Sequence, residues 1–203
     1  MDEPLLIDTR RSLHAVAELV IAGPQHRATG TIRLRVTPDG FGGVASPVRV
    51  RGAALCWDGG STPLAGTCRQ LAEAAGVDVG APAGLYTDGS GADPDAPLEV
   101  DPAAAELLAG WFARGDAALR TLAADVEPVI WPEHFDLAVT AGEVTYGVSP
   151  GDAAIPLPYA YVGPWTPRTG PFWNAPFGAA RDAGEVPDPE AVAAFFAEAN
   201  RHL

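Results

Sequence analysis

Two stretches of this sequence alternate apolar and polar residues with a period of two, which restricts them to half-buried β-strands. The first is Thr31-Ile-Arg-Leu-Arg-Val36, echoed by Val48-Arg-Val-Arg51 on its way to Leu55-Cys-Trp57. The second surrounds Ala141-Gly142. Phe135, Leu137 and Val139 alternate with Asp136, Ala138 and Thr140, and Val144, Tyr146 and Val148 alternate with Thr145 and Gly147. With Ala141-Gly142 as a two-residue loop, this second stretch is an antiparallel hairpin. Tyr159-Ala-Tyr-Val162 adds a third strand beyond the Ser149-Pro-Gly-Asp152 turn.

Helix signals fall between these strands. Asp8 as N-cap and Gly23-Pro24 as stop predict a helix over 8–22, with Leu13, Val16 and Val20 buried and Arg10, His14 and Glu18 on the exposed face. Thr67–Ala75 reads as a short helix. Asp101-Pro102 opens the longest one, which Gly115 ends or bends, and Asp188-Pro189-Glu190 opens the last. Phe41–Val44 reads as a loose loop, Gly80–Pro97 as a surface loop, and Gly163–Pro187 as irregular chain. The expected architecture is α+β: a single domain over 1–203, any subdivision falling at 126/127, with an antiparallel sheet of two hairpins or a meander packed against three to four helices.

Composition then limits function. All 13 basic residues are Arg, so chemistry that depends on a lysine, from Schiff bases to phosphate-loop NTPases, is excluded. A net charge of −13 argues against nucleic acid and against anionic membrane surfaces. No stretch is long and apolar enough to span a membrane, and the acidic N-terminal segment does not resemble a signal peptide, so a cytoplasmic location is expected. Cys56 and Cys68 have no metal-ligand spacing and read as reduced thiols. Neither a cofactor nor a metal is expected; the oligomeric state is not legible.

Three groups of residues have functional potential. In the hairpin, the Ala141-Gly142 turn would place His134 opposite Ser149, on one face with Asp136 and near Asp152. Opposed Cβ atoms lie about 4.5–5.5 Å apart, within reach of acid/base chemistry. Either these residues are catalytic, or they orient the turn and solvate an open sheet face. The second group is Arg33, Arg35, Arg49 and Arg51, which share a sheet face if their strands pair. Internal carboxylates or a bound anion gripped by guanidinium forks would then balance them. The third is aromatic: Trp131, Tyr159, Tyr161, Trp165 and Trp173, with Asn174, either wall a ligand cleft or pack a loop onto the body.

The words Trp131-Pro-Glu-His-Phe-Asp136, Tyr146-Gly-Val-Ser-Pro-Gly-Asp152, Pro158-Tyr-Ala-Tyr-Val-Gly-Pro-Trp165 and Phe172-Trp-Asn-Ala-Pro-Phe-Gly178 resemble a family of uncharacterised proteins from GC-rich bacteria. That resemblance implies no reaction. The expected function is binding of a small polar or anionic ligand in an aromatic-walled cleft, with acid/base chemistry at His134. The competing expectation is a non-catalytic interaction or structural protein.

Overall fold

The computed structural model describes residues 2–203 and is of the α+β class. Its helices are α1 (Glu3–Val16), α2 (Gly23–Thr29), α3 (Cys68–Ala75), α4 (Pro102–Leu122) and α5 (Pro189–Asn200). A π-helical segment, Ala17–Ala22, joins α1 to α2 without a break. The strands are β1 (Leu34–Thr37), β2 (Gly40–Gly43), β3 (Arg49–Arg51), β4 (Ala54–Trp57), β5 (Gly60–Pro63), β6 (Val129–Trp131), β7 (Asp136–Ala141), β8 (Val144–Ser149), β9 (Tyr159–Pro164) and β10 (Ala179–Asp182). No helix among the described residues is long and apolar enough to cross a membrane. The chain divides into two compact units: residues up to Gly110 with Ile130–Phe135, and Trp111–Val129 with Asp136–Leu203.

In the first unit β1 to β5 form an antiparallel meander, and Ile130 of β6 pairs with Leu34 of β1. Phe41, Val50 and Leu55 lie level across β2, β3 and β4 and are buried. Val16, Val20 and Ile21 of the first helical stretch are buried too, and β2 and α3 both lie against its π segment. The residues expected as a loose loop, Phe41–Val44, are therefore mostly strand. Phe41 fills the core while Gly42 tolerates close passage of β3, where a Cβ would sit 2.7 Å from that of Arg49.

The first helix differs from expectation at both ends. It starts at Glu3, with Pro4 in its first turn, and runs through Gly23-Pro24 to a left-handed Gly30. Pro24 does not stop it because the π register changes the hydrogen-bond ledger. The Gly23 N–H donates to the Glu18 carbonyl, five residues back. In that register the Leu19 carbonyl would look to Pro24, which has no N–H to donate. Gly80 of the following loop donates to it instead, at 2.9 Å. A Cβ at position 23 would overlap the Gly80 carbonyl oxygen, so only glycine permits this approach.

The second unit orders its strands β10-β9-β8-β7. Helix α5 caps it, with Phe196 edge-on to Tyr146 and Asn200 accepting from the Tyr146 hydroxyl. Gly115 does not end α4, which continues to Leu122. Its missing side chain makes room for Val148, whose methyl would overlap a Cβ there. The hairpin turn is Gly142-Glu143, shifted by one residue from Ala141-Gly142, and Ala141 pairs with Val144. Both turn residues have positive φ, 58° and 64°, as a type I′ turn demands. The shift moves the pairing by two positions, so each side chain keeps its expected face while changing its partner.

Candidate functional site

The π segment carries a carboxylate into the interior of the first unit. Glu18 is only 3% exposed, and Arg10, two turns earlier on the same helix, is also buried. The face expected to be solvated is thus an interior one, because the 77–100 loop and the 131–135 turn cover it. Ser90 donates to Glu18 Oε2 from its backbone N–H, at 2.9 Å, and from its hydroxyl. Gly89 brings the loop close enough that a Cβ would overlap Glu18 Oε1.

His14 lies between these residues. Its Nε2 is 2.7 Å from the Pro132 carbonyl oxygen, which can only accept, so this nitrogen carries the proton. The imidazole stacks on Phe135, with centroids 5.4 Å apart and planes 8° from parallel. Burial lowers the His14 pKa below its ordinary 6.5. The Pro132 hydrogen bond and Glu18 oppose that shift, whereas Arg10 and His134 reinforce it. Phe135 itself is buried with φ of +54°, a sparsely populated conformation for a bulky residue. Its N–H closes the turn onto the Trp131 carbonyl at 2.7 Å.

Two polar atoms complete the cluster. Tyr86 Oη and Glu133 Oε2 are buried; neither meets a described residue in good hydrogen-bond geometry, and the Glu18 carboxylate lies beside the Tyr86 phenol. Burial, together with the Glu18 and Glu133 carboxylates, holds the Tyr86 phenol well above its ordinary pKa, so it stays a neutral donor. Among the described residues no group of three or more His, Cys, Asp or Glu is placed to hold a metal ion. Arg10, Glu18, Tyr86 and Ser90 went unremarked as site residues in the sequence. The one available signal was the four-residue spacing of Arg10, His14 and Glu18, which marks a shared helix face without telling whether that face is wet.

Of the hairpin group, Asp136, Ser149 and Asp152 lie in the second unit and His134 in the first. His134 is exposed in the turn before β7 and is not level with Ser149. The register instead pairs Leu137 with Val148, so Asp136 falls level with Ser149. Two phenols of β9 engage the carboxylates here: Tyr161 donates to Asp136, and Tyr159 donates to Asp152 at 2.6 Å. Desolvation raises both phenol pKa values, and the carboxylates add to it. Asp152 also caps the turn by accepting from Ala154 and Ile155, while Ser149 accepts from Gly151. The Tyr161 ring covers Gly147, where a Cβ would lie 2.6 Å from it.

The aromatic residues pack largely on one another. Phe177 stacks on Tyr159 and stands edge-on to Tyr161, and Trp173 packs on Phe172, which stacks on His202 and lies beside Phe195. Asn174 clamps Ala180 with two hydrogen bonds. Trp165 stands apart at 65% exposure. Trp131, in the first unit, lies under the Arg33 guanidinium at 5.8 Å. Arg33, just before β1, Arg35 of β1, and Arg49 and Arg51 of β3 are all exposed, but the two strands do not pair, since β2 runs between them. No family model, curated protein or solved structure matches this chain.

Proposed function

We propose that the chain binds a small molecule bearing a hydroxyl or amino group at the Glu18–Tyr86–Glu133 cluster of the first unit, and that acid/base chemistry runs there. The observation that carries this reading is the buried Glu133 Oε2, without a partner among the described residues, near a buried Tyr86 phenol that only the Glu18 carboxylate approaches and in no good hydrogen-bond geometry. Buried polar groups are nearly always paired, and an exception asks for an explanation. A ligand hydroxyl answers both atoms at once, accepting from the phenol and donating to the carboxylate. Glu133 would then serve as the proton acceptor and Tyr86 as the neutral donor opposite a developing negative charge. Glu18, held by Ser90, anchors the loop that covers the cluster. Gly84 and Gly91, both at positive φ, flank that loop segment and supply hinge positions for entry.

Strain and burial at the same place support the reading: a π turn, a left-handed Phe135 and a histidine held neutral all border the cluster. The test is a ligand-observed NMR screen of polyols, sugars and primary amines against the wild type, Glu133→Gln and Tyr86→Phe. A binder lost in both folded variants supports the site. Binders indifferent to both substitutions, or none at all, overturn it. A second reading, an interaction surface, is favoured only by the exposure of Trp165 in the second unit.

A further inference from the structure

The second unit ends its sheet on β10, and a terminal strand carries one row of N–H and C=O groups that no neighbouring strand takes up. The register says which groups these are. The Ala183 N–H donates to the Pro158 carbonyl, on the β9 side, at 2.9 Å. Because the hydrogen-bonding side alternates along an antiparallel ladder, Arg181 and Ala183 turn toward β9, whereas Gly178, Ala180 and Asp182 turn away from it.

Each of these outward N–H and C=O groups is answered by the chain just before or just after the strand. Gly178 exchanges two backbone hydrogen bonds with Ala175, at 2.9 and 3.0 Å, across the Pro176-Phe177 turn. At Ala180 a side chain takes the place of backbone: Asn174 Oδ1 accepts from the Ala180 N–H at 2.9 Å, and Asn174 Nδ2 donates to the Ala180 carbonyl at 3.2 Å. A carboxamide presents a donor and an acceptor side by side, as a neighbouring strand would. Arg181 Nη1 adds a second donor to that carbonyl at 3.0 Å. At Asp182 the N–H donates to Glu185 Oε2 at 3.0 Å, and the carbonyl accepts from the Glu185 N–H at 2.9 Å. Asn174, Asp182 and Glu185 are exposed, so water would serve the same groups. What the two side chains add is denial of the edge to another strand. The outer strand of the first unit, β5, is blunted differently: Pro63 brings no N–H to its edge, and the Pro63 carbonyl accepts from Ala65 at 2.8 Å.

We infer that Asn174 and Glu185 form a lock that closes β10 against a second copy of this chain. The strand is fitted to pair with itself. In an antiparallel, two-fold pairing centred on Ala180, Ala180 meets Ala180, Asp182 meets Gly178 and Arg181 meets Ala179. Every outward residue then finds an outward partner, and no like charges are opposed. The strand itself has no proline, and its short Ala179 and Ala180 side chains leave the approach open. The barrier to pairing therefore lies outside the strand, in the two side chains that already occupy its hydrogen-bonding groups. This lock is independent of the Glu18–Tyr86–Glu133 cluster, which belongs to the other unit.

The experiment joins amide hydrogen exchange to sedimentation equilibrium, both on the full chain. In the wild type the Ala180 and Asp182 amides should be protected although their strand is terminal, and Asn174→Ala should speed exchange at Ala180 by about tenfold. The double variant Asn174→Ala/Glu185→Ala should self-associate, its average mass rising with concentration above that of the wild type run alongside. Adding Ala180→Pro removes the central outward N–H and leaves the β9 ladder intact, so the mass should return to the wild-type value. Circular dichroism confirms that each variant is folded, and Asn174→Ala alone replaces a double variant that does not fold. Three results would each overturn the lock: a wild-type Ala180 amide that exchanges as an unprotected one does, a folded uncapped variant with the mass of the wild type, and association that survives Ala180→Pro.

Discussion

Replacing Tyr86 by phenylalanine removes one oxygen atom and leaves the ring in place. Removing the hydroxyl of a buried tyrosine usually destabilises, because a hydrogen bond is lost. Here the sign should reverse. Tyr86 Oη is buried beside the Glu18 carboxylate but in good hydrogen-bond geometry with no described residue, and a buried polar group left poorly paired costs about 1–3 kcal/mol. Part of that cost returns when the oxygen is removed, so Tyr86→Phe should stabilise the unliganded protein by about 1 kcal/mol. For a chain of this size that is a rise in Tm of roughly 2–4 °C. Tyr159→Phe is the matched control, since its hydroxyl donates to Asp152 at 2.6 Å. A hydrogen bond to a charged group contributes about 1.5–3 kcal/mol, so this variant should lose stability. Both are read by urea unfolding at neutral pH. If Tyr86→Phe is destabilised as Tyr159→Phe is, the Tyr86 hydroxyl already has a partner, and the argument for a ligand at the cluster fails.

Other expectations follow from the same structure. Burial holds the His14 pKa below 6.5, so the folded state binds fewer protons than the unfolded state just under that pH. Its contribution to stability is therefore complete above about pH 6.5 and is lost as pH falls toward the lower folded value, which an NMR titration of the His14 ring will locate. Burial pushes the Cys68 thiol up to about 12, whereas Cys56 is half-buried, so a thiol reagent should modify one cysteine in the native protein and two in denaturant. Gly23→Ala places a methyl on the Gly80 carbonyl and should cost about 2 kcal/mol or more in thermal unfolding. Glu143→Gly relieves a non-glycine residue at φ 64° and should gain about 0.5 kcal/mol; a loss would mean that the Glu143 side chain has a role in the turn.

The parts of the fold legible in the sequence are those with a short period and a single dominant cause. Alternation placed β7, β8 and β9 and kept their faces correct even where the turn was misplaced by one residue, because a shift of two in pairing preserves the pleat. Capping chemistry placed α5, where Asp188 accepts from Ala191, and the short helix expected over 67–75 is α3, whose N-cap Thr67 accepts from Gln70. What escaped was set by partners far away in sequence. Gly42 and Gly115 read as breaks, yet each is glycine because another element presses on its backbone. Short strands such as β5 and β10 carry no period of their own and exist only because β4 and β9 offer an edge to pair with.

The candidate site escaped for a related reason. Gly23-Pro24 is a stop signal only if the helix keeps its α register, since in that register Pro24 clashes with the turn before it. The π segment removes the conflict and leaves the Leu19 carbonyl for Gly80, which draws the 77–100 loop onto the helix. That loop brings Tyr86 and Ser90 over Glu18, and the face that spacing alone marked as exposed becomes interior. The feature that hid the helix end is therefore the same one that builds the cluster. A proline tolerated inside a helix and a glycine with no room for a methyl point to one approach of two backbones, and the buried carboxylate lies next to it. Local pattern could supply Arg10, His14 and Glu18 as a row, but only the long-range bond from Gly80 decides which way the row faces.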